Sequence, residues 1–441
     1  YPYKVPQTAR GAKRTAVYDR VAKEGAYFRA VSGFETADFY ETDRVNDADK
    51  IVPAADALHT GAQVNAGRSA SHLEYTWDKP SFFKYWEAEH RAVREGVALI
   101  DMSFMSKFLV QGRDAGPALN RLCTADVDGA VETITYTQCL REDGCMEADI
   151  TVSKQHDNMY TVIATDTAHR HVETLLKRNL DPEGNKHVTV TDVTGAYTQL
   201  NLQGPRSREL MQALTDTDMS NEGFPFRTMK EIAIGLARVN VARITYVGEL
   251  GYELHIPSEF AIHVYEEIVR AGKTHGLVHA GLKALSSLRL EKAYRDFGHD
   301  MDNLDTLVEV GLAFTADMNK PGGFVGKEAV QKQQAELKAN KGLPRRLVQV
   351  LCLDPNVMLY HAEVLRRDSV VVGDVRIASY GHTLGGAVGL SMLTAPGGAH
   401  KVVNKDFLET GKWEVEVAGK LYPVKVSLNP MYDPKNLKIK A

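Results

Sequence analysis

Residues 108–127 read FLVQGRDAGPALNRLCTADV and residues 200–219 read LNLQGPRSRELMQALTDTDM. Laid together at an offset of 92 residues, Gln111 meets Gln203, Gly112 meets Gly204, Leu122 meets Leu214 and Asp126 meets Asp218. The same offset carries His171-Val172, in DTAHRHVETLLKR, onto His263-Val264, in SEFAIHVYEEIVR. Apolar residues recur at three-to-four spacing in both stretches, which predicts a matched pair of amphipathic helices. Each copy then reads strand, turn, helix, strand, glycine turn, strand, helix. That is the order of a split β-α-β unit, with helices on one face of a mainly antiparallel sheet. The expected class is α+β, with two related lobes facing one another.

Two further stretches carry the candidate chemistry. Tyr246–Leu254 reads YVGELGYEL, a glycine-hinged turn into a strand, and Gly144–Val152, GCMEADITV, reads as a degenerate copy of it. In each, a glycine precedes by five positions an acid lodged among strand hydrophobics: Asp149 after Gly144, Glu253 after Gly248. A carboxylate in such a place is costly to bury unless something partners it. Two acids at matching points of a repeat predict a shared central cleft. The plainer alternative is that each acid caps a turn or pairs with Arg243 or Arg289.

Composition bounds the rest. A chain of 441 residues, 44% apolar and 25% charged, is too long for one core and suggests two or three domains. A net charge of −4 offers no electrostatic reason to expect nucleic acid or an anionic membrane as partner. The longest apolar runs, such as Leu347–Leu353, fall far short of the roughly 18–20 residues that span a bilayer, so no membrane-spanning segment is expected. Cys123, Cys139, Cys145 and Cys352 form no CxxC pair, which argues against zinc and for buried or free thiols in a reducing compartment.

Residues 1–84 are expected to be an irregular N-terminal extension or linker, with basic TARGAKR at 8–14, an amphipathic stretch near Ala16–Ala26 and a small-residue passage from Asp47 to Ser71. Residues 85–344 hold the duplication, a helix over Ala284–Ala293 and another beginning at Gly326-Lys327. From Arg345 the pattern changes. Leu347–Leu353, Val370–Gly373, Trp413–Val417 and Tyr422–Val426 alternate or are β-branched, which predicts an antiparallel barrel or sandwich over 345–441. The glycines of Gly385–Gly389 lack a βαβ context and fit a close strand-to-strand turn better than a dinucleotide loop. Gly322–Lys327 departs from a phosphate loop in glycine spacing and has Glu328 where Ser or Thr belongs.

Several motifs together resemble the glycine-cleavage T-protein (aminomethyltransferase) superfamily, and within it the tetrahydrofolate-binding half of sarcosine and dimethylglycine dehydrogenases. They are Asp101–Phe108, Leu202-Gln203-Gly204-Pro205, Tyr246–Pro257, Leu288–Lys292, Phe324–Ala329 and the ending Asn429–Pro434. The resemblance covers about residues 8–441 and implies two ferredoxin-like lobes plus a C-terminal antiparallel β-barrel, with folate entering the middle. It implies transfer of a one-carbon unit from an amine-derived adduct to tetrahydrofolate. By motif position Asp149 is the acid beside the folate N10, and a carboxylate within reach of that weakly basic nitrogen can accept its proton. Glu253 matches an acceptor for the pterin's donor edge, suited to an ionised, acceptor-only group. Tyr246 and Tyr136 match flat cleft walls, and Met105 and Arg289 match further cofactor-binding positions.

Two departures stand out. Ala284-Leu285-Ser286-Ser287 replaces the family's Ala-Arg-Asp before the Leu-Arg-Leu-Glu motif, and Phe34 replaces a tryptophan before Glu35, which predicts altered docking of the N-terminal segment. No Gly-x-Gly-x-x-Gly follows a strand near the N-terminus, so no FAD site is expected in this chain. The resemblance therefore implies a small-molecule one-carbon donor supplied by an FAD-dependent amine dehydrogenase partner or a larger assembly, in a mitochondrial matrix or, alternatively, a bacterial cytoplasm. Two other readings stay open: a non-catalytic T-protein-like subunit with a structural or regulatory role, and a T-protein fed by a lipoyl-bound aminomethyl group.

Overall fold

The computed structural model describes residues 10–43, 76–398 and 400–441; the small-residue passage from Asp47 to Ser71 lies outside them. The duplication is built as two runs of elements. The first comprises β5 (Ser106–Gln111), a helix (Ala115–Leu122), β6 (Ile134–Leu140), β7 (Met146–His156), β8 (Met159–Ala164) and a helix (His169–Asn179). The second comprises β10 (Tyr197–Gln203), a helix (Ser207–Gln212), β11 (Met229–Ile234), β12 (Ala237–Ala242), β13 (Gly251–Pro257) and a helix (Ala261–Gly272). At the offset of 92 residues Ala115 falls on Ser207 and His169 on Ala261, the first residues of the matched helices. Each run has one strand more than its sequence pattern suggested.

The same alignment corrects one expectation. Asp149 lies on β7, which corresponds to β12, whereas Glu253 lies on β13, which corresponds to β8. At the repeat offset Asp149 falls on Val241 and Glu253 on Thr161, so the two acids are not equivalent points of the duplication. Their shared pattern of glycine turn and alternating strand is common to many hairpins and carries no register of its own.

The chain forms two compact units: residues up to Met105 with Thr194–Arg289 and Lys435–Ala441, and Ser106–Val193 with Leu290–Pro434. The first holds a six-stranded sheet in the order β11-β12-β13-β10-β4-β14, where β4 is Val97–Asp101 and β14 is Leu277–His279. The second holds a five-stranded sheet in the order β6-β7-β8-β5-β9, where β9 is Thr189–Asp192. The strand ahead of each repeat is thus used by the sheet of the other. β4 leads into β5 but pairs antiparallel with β10, and β9 leads into β10 but pairs antiparallel with β5.

Strand alternation sets what each sheet buries. On β10 and β13, Leu200, Leu202, Tyr252, Leu254 and Ile256 join Val264 and Ile268 of the helix in one apolar core, which sends Gln199, Asn201, Gln203, Glu253 and His255 to the opposite face. In the second unit Phe108, Val110, Ile150, Val152 and Val162 pack with Leu119, Leu122, Val172 and Leu176. Leu347, Val388, Leu390 and Met392 extend that core into a closed antiparallel barrel, ordered β15-β18-β17-β16-β19-β20. Its strands are β15 (Arg345–Cys352), β16 (Val364–Arg367), β17 (Val370–Gly381), β18 (Gly386–Thr394), β19 (Trp413–Val417) and β20 (Lys420–Ser427). At Gly389 a Cβ would lie 2.5 Å from the Ile377 carbonyl oxygen, which accounts for a glycine where strands close up.

Residues 10–43, expected to be irregular, are ordered instead. β1 (Lys13–Arg14), β2 (Ala26–Val31) and β3 (Phe34–Tyr40) form a small sheet, and Val17, Tyr18, Val21 and Ala22 around a six-residue helix enter the first unit's core. Glu35 anchors this segment by accepting from Arg10 at 2.8 Å and from the Gly11 amide at 2.6 Å. The Lys13 ammonium sits 3.8 Å above the ring of Phe34, the residue that replaces the family's tryptophan. Among the described residues no helix is long and apolar enough to cross a membrane.

Gly112 and Gly204, matched by the offset, occupy the same backbone conformation, with φ of 128° and 127°. A Cβ would lie 2.0 Å from the His187 carbonyl oxygen at the first and 2.4 Å from that of Gly96 at the second. Gly112→Ala and Gly204→Ala are each expected to destabilise by about 3 kcal/mol or more, combining backbone strain with a clash against main chain. Urea unfolding checks this through a lowered midpoint; an unchanged midpoint in either variant contradicts it.

Candidate functional site

Pairing of β6 with β7 sets Gln138 directly opposite Asp149. The Gln138 Nε2 donates to Asp149 Oδ1 at 2.8 Å, and the Tyr136 side chain also hydrogen-bonds this carboxyl. Burial pushes Asp149 up to about 7; the Gln138 and Tyr136 bonds pull it down, and the charges of Asp296 and Asp300 push it up further. Nearby, Arg295 donates to the carbonyls of Val310 at 3.0 Å and Ala293 at 2.7 Å. Burial lowers the Arg295 pKa against the opposing influence of Tyr136, Asp300 and Asp149. The result is a half-buried carboxyl able to take up and release a proton near neutrality.

Glu253 sits between Asn201 and Ala242 in the sheet register. Asn201 Nδ2 donates to Oε1 at 3.3 Å and Gln199 Nε2 to Oε2 at 3.2 Å, with His255 Nε2 at 4.0 Å from Oε2. Beside them Thr245 Oγ1 donates to Gln203 Oε1 at 2.9 Å. Gln203 lies flat on Gly251, where a Cβ would stand 1.9 Å from Gln203 Oε1. Gln199 Oε1 and Gln203 Nε2 are buried without a hydrogen-bond partner. Such orphans are costly in a protein interior and call for a bound polar group. The face therefore offers an anchored carboxylate flanked by one spare acceptor and one spare donor, a set that suits a flat ligand bearing both kinds of group.

The pairing of an acid with Arg243 finds a different partner set: Arg243 donates to the carbonyls of Phe224 at 2.7 Å and Ala441 at 3.4 Å. Of the residues singled out from sequence, Asp149 and Tyr136 come together in the second unit. Glu253, Met105, Tyr246 and Arg289 belong to the first. Met105 is half-buried in the turn after β4, and Tyr246 is half-buried between β12 and β13. Arg289 is buried in the helix Leu282–Glu291. Tyr136 also packs against the apolar core, so it serves both site and scaffold. Gln138, Gln199, Asn201 and Thr315 escaped the sequence reading. A signal existed for two of them: in TQLNLQ, Gln199 and Asn201 alternate with core leucines on a strand paired with Glu253.

Fold and site together define a duplicated α+β architecture with a C-terminal antiparallel barrel, and comparison with known proteins gives it a family. Residues 17–320 match the GCVT N-terminal domain and residues 345–433 the glycine cleavage T-protein C-terminal barrel domain. The chain belongs to the glycine cleavage T-protein family. It is 34% identical over 438 residues to 4-methylaminobutanoate oxidase (formaldehyde-forming) of Paenarthrobacter nicotinovorans, covering 99% of this chain and 48% of that protein. It is 31% identical over 464 residues to mitochondrial sarcosine dehydrogenase of Mus musculus, covering 100% of this chain and 48% of that protein. The chain thus spans about half the length of these curated relatives. The crystal structure of glycine cleavage system aminomethyltransferase T from Bartonella henselae superposes with a TM-score of 0.72 at 18% identity, over 96% of this chain and 98% of that one, which establishes a shared fold.

Asp149 also makes a stability prediction. Its folded pKa of about 7 lies above the ordinary carboxylate value of about 3.9, so the folded chain binds the extra proton more tightly than the unfolded chain does. Stability from this group is fully present below the ordinary value and is lost as pH rises to the folded one. Asp149→Asn is expected to melt above the parent at alkaline pH, with the gap growing from about 3.9 to about 7 and constant beyond. Thermal melts across that range check it; a gap independent of pH contradicts it.

Proposed function

We propose that this chain is the tetrahydrofolate-binding component that takes up the methylene unit released when an N-methyl amine, such as sarcosine or dimethylglycine, is demethylated. The observation that carries this reading is Asp149, a carboxyl poised near neutrality and held by Gln138 and Tyr136. The relatives support the substrate class: one is named for forming formaldehyde from a methylamino acid and another for acting on sarcosine. When bound, tetrahydrofolate supplies the arylamine nitrogen that receives the carbon.

The residues present fit such a group. Glu253, with both oxygens steadied by Asn201 and Gln199, accepts from N–H donors on a pterin edge. Gln199 Oε1 and Gln203 Nε2 supply the remaining acceptor and donor on that face. Asp149 accepts the proton that must leave the attacking nitrogen, and its negative form favours a cationic carbon donor. Tyr136 steadies the carboxyl, while Tyr246, Met105 and Arg289 are assigned to hold the ligand. The one-carbon unit comes, in this reading, from an FAD-dependent amine dehydrogenase partner or a larger assembly.

Two variants test the division of labour. Glu253→Gln is expected to weaken binding of a reduced folate by about 10–100-fold in titration calorimetry, the loss of one charge-assisted anchor. Asp149→Asn is expected to retain binding but lose about 10²–10⁴-fold in methylenetetrahydrofolate formation above the spontaneous rate. Absence of specific folate binding by the unmodified chain would sink the proposal in favour of a non-catalytic T-protein-like subunit.

A further inference from the structure

Behind Gln138 stands Thr315, at the end of the short helical turn Ala313–Thr315. Its hydroxyl carries one proton but has two acceptors within reach, the Gln138 Oε1 and the Leu312 carbonyl, the latter at 2.7 Å. A hydroxyl can donate to one and accept from a third group with its lone pairs. The Gln138 amide is fully buried, and its two ends face Asp149 and Thr315. Which end faces which depends on where the protons are.

We infer that Thr315, Gln138 and Asp149 form a proton-linked amide switch, in which the Gln138 amide turns over as Asp149 gains or loses its proton. With Asp149 ionised, Thr315 donates to Gln138 Oε1 and Gln138 Nε2 donates to the carboxylate. With Asp149 protonated, its O–H donates to Gln138 Oε1, Gln138 Nε2 donates to the Thr315 oxygen, and the Thr315 proton swings to the Leu312 carbonyl. Asp149, Gln138 and Thr315 each keep a hydrogen-bond partner in both states, and the only net change is the proton on Asp149. A fixed amide would still donate to the carbonyl oxygen of the protonated carboxyl, but only the turned amide offers that acid's O–H an acceptor on Gln138.

The surroundings are compatible with both arrangements. Among the described residues, Tyr136, Arg295, Asp296 and Asp300 are charged or titratable groups that act on Asp149 or lie near it. A phenol hydroxyl such as that of Tyr136 can donate or accept, and Arg295 donates to main-chain carbonyls. Glu253 provides an internal contrast. The far end of its partner Gln199 has no donor behind it, so that amide gains nothing by turning and Glu253 is a fixed acceptor.

The switch rests on Asp149 being the proton-handling group of the proposed function, but its test needs no folate. The full chain is labelled with nitrogen-15 in glutamine side chains, the Gln138 amide signal is assigned with Gln138→Leu, and the Asp149 carboxyl stretch is followed by infrared difference against Asp149→Asn. The Gln138 signal is expected to shift through a single titration whose midpoint coincides with that of the Asp149 band, and to lose that shift in Asp149→Asn. Thr315→Val is expected to abolish or at least halve the shift and Thr315→Ser to restore it. A Gln138 signal that stays constant while Asp149 titrates, or one that moves identically in Thr315→Val, overturns the switch; should Thr315→Val fail to fold, the parent chain alone decides. A chain that shows the coupled titration yet forms no methylenetetrahydrofolate retains the switch and loses the proposed function, and the converse result separates them the other way.

Discussion

Everything in this fold depends on a reciprocal exchange of one strand. The connection into each repeat delivers its strand to the other repeat's sheet, β4 beside β10 and β9 beside β5. Hydrogen bonding on both sides of β10 and β5 converts what would be exposed edges into central strands. β10 then carries the polar row that holds Glu253, so the site of the first unit is built upon the borrowed strand's neighbour. Gly112 and Gly204 close the turns that follow β5 and β10, which explains why this pair of glycines survives in an otherwise divergent duplication.

The chain treats its acids in two ways. Where an acid serves as a brace, a cation meets it inside the protein: Arg10 with Glu35 at 2.8 Å and Arg94 with Glu249 at 3.0 Å, all four side chains buried. At the two candidate acids neutral side chains donate: Gln138 and Tyr136 to Asp149, Gln199 and Asn201 to Glu253. At Asp149 the Gln138 amide orients the carboxyl and only partly offsets the burial that pushes its pKa up.

The duplication was legible because two amphipathic helices and a Gln-Gly turn recur at one offset, and periodicity of that kind survives divergence. The barrel was legible from its β-branched alternation. Other features depend on pairings that sequence spacing does not encode. The apparent equivalence of Asp149 and Glu253 fails because a glycine turn and an alternating strand specify a hairpin but not which hairpin of the repeat. The order in residues 10–43 escaped detection because its helix is only six residues long and its strands are stabilised by pairing with one another and by Glu35. Gln138 and Thr315 are 177 residues apart in sequence, and their contact has no local signal. The roles proposed for Asp149, Glu253, Tyr136, Tyr246, Met105 and Arg289 rest on motif position, to which strand pairing adds Gln138 beside Asp149 and Asn201 beside Glu253.

The exchanged strands also govern how the polypeptide can be made. While the ribosome has released β5 to β8 but not yet β9, the first repeat presents β5 as an open edge. Even after β9 arrives, its apolar core still awaits Leu347, Val388 and Met392 from the barrel. Native contacts of such sequence separation make folding slow and leave nascent chains prone to association. The core of the first repeat is therefore complete only once the barrel strands carrying Leu347, Val388 and Met392 have been made.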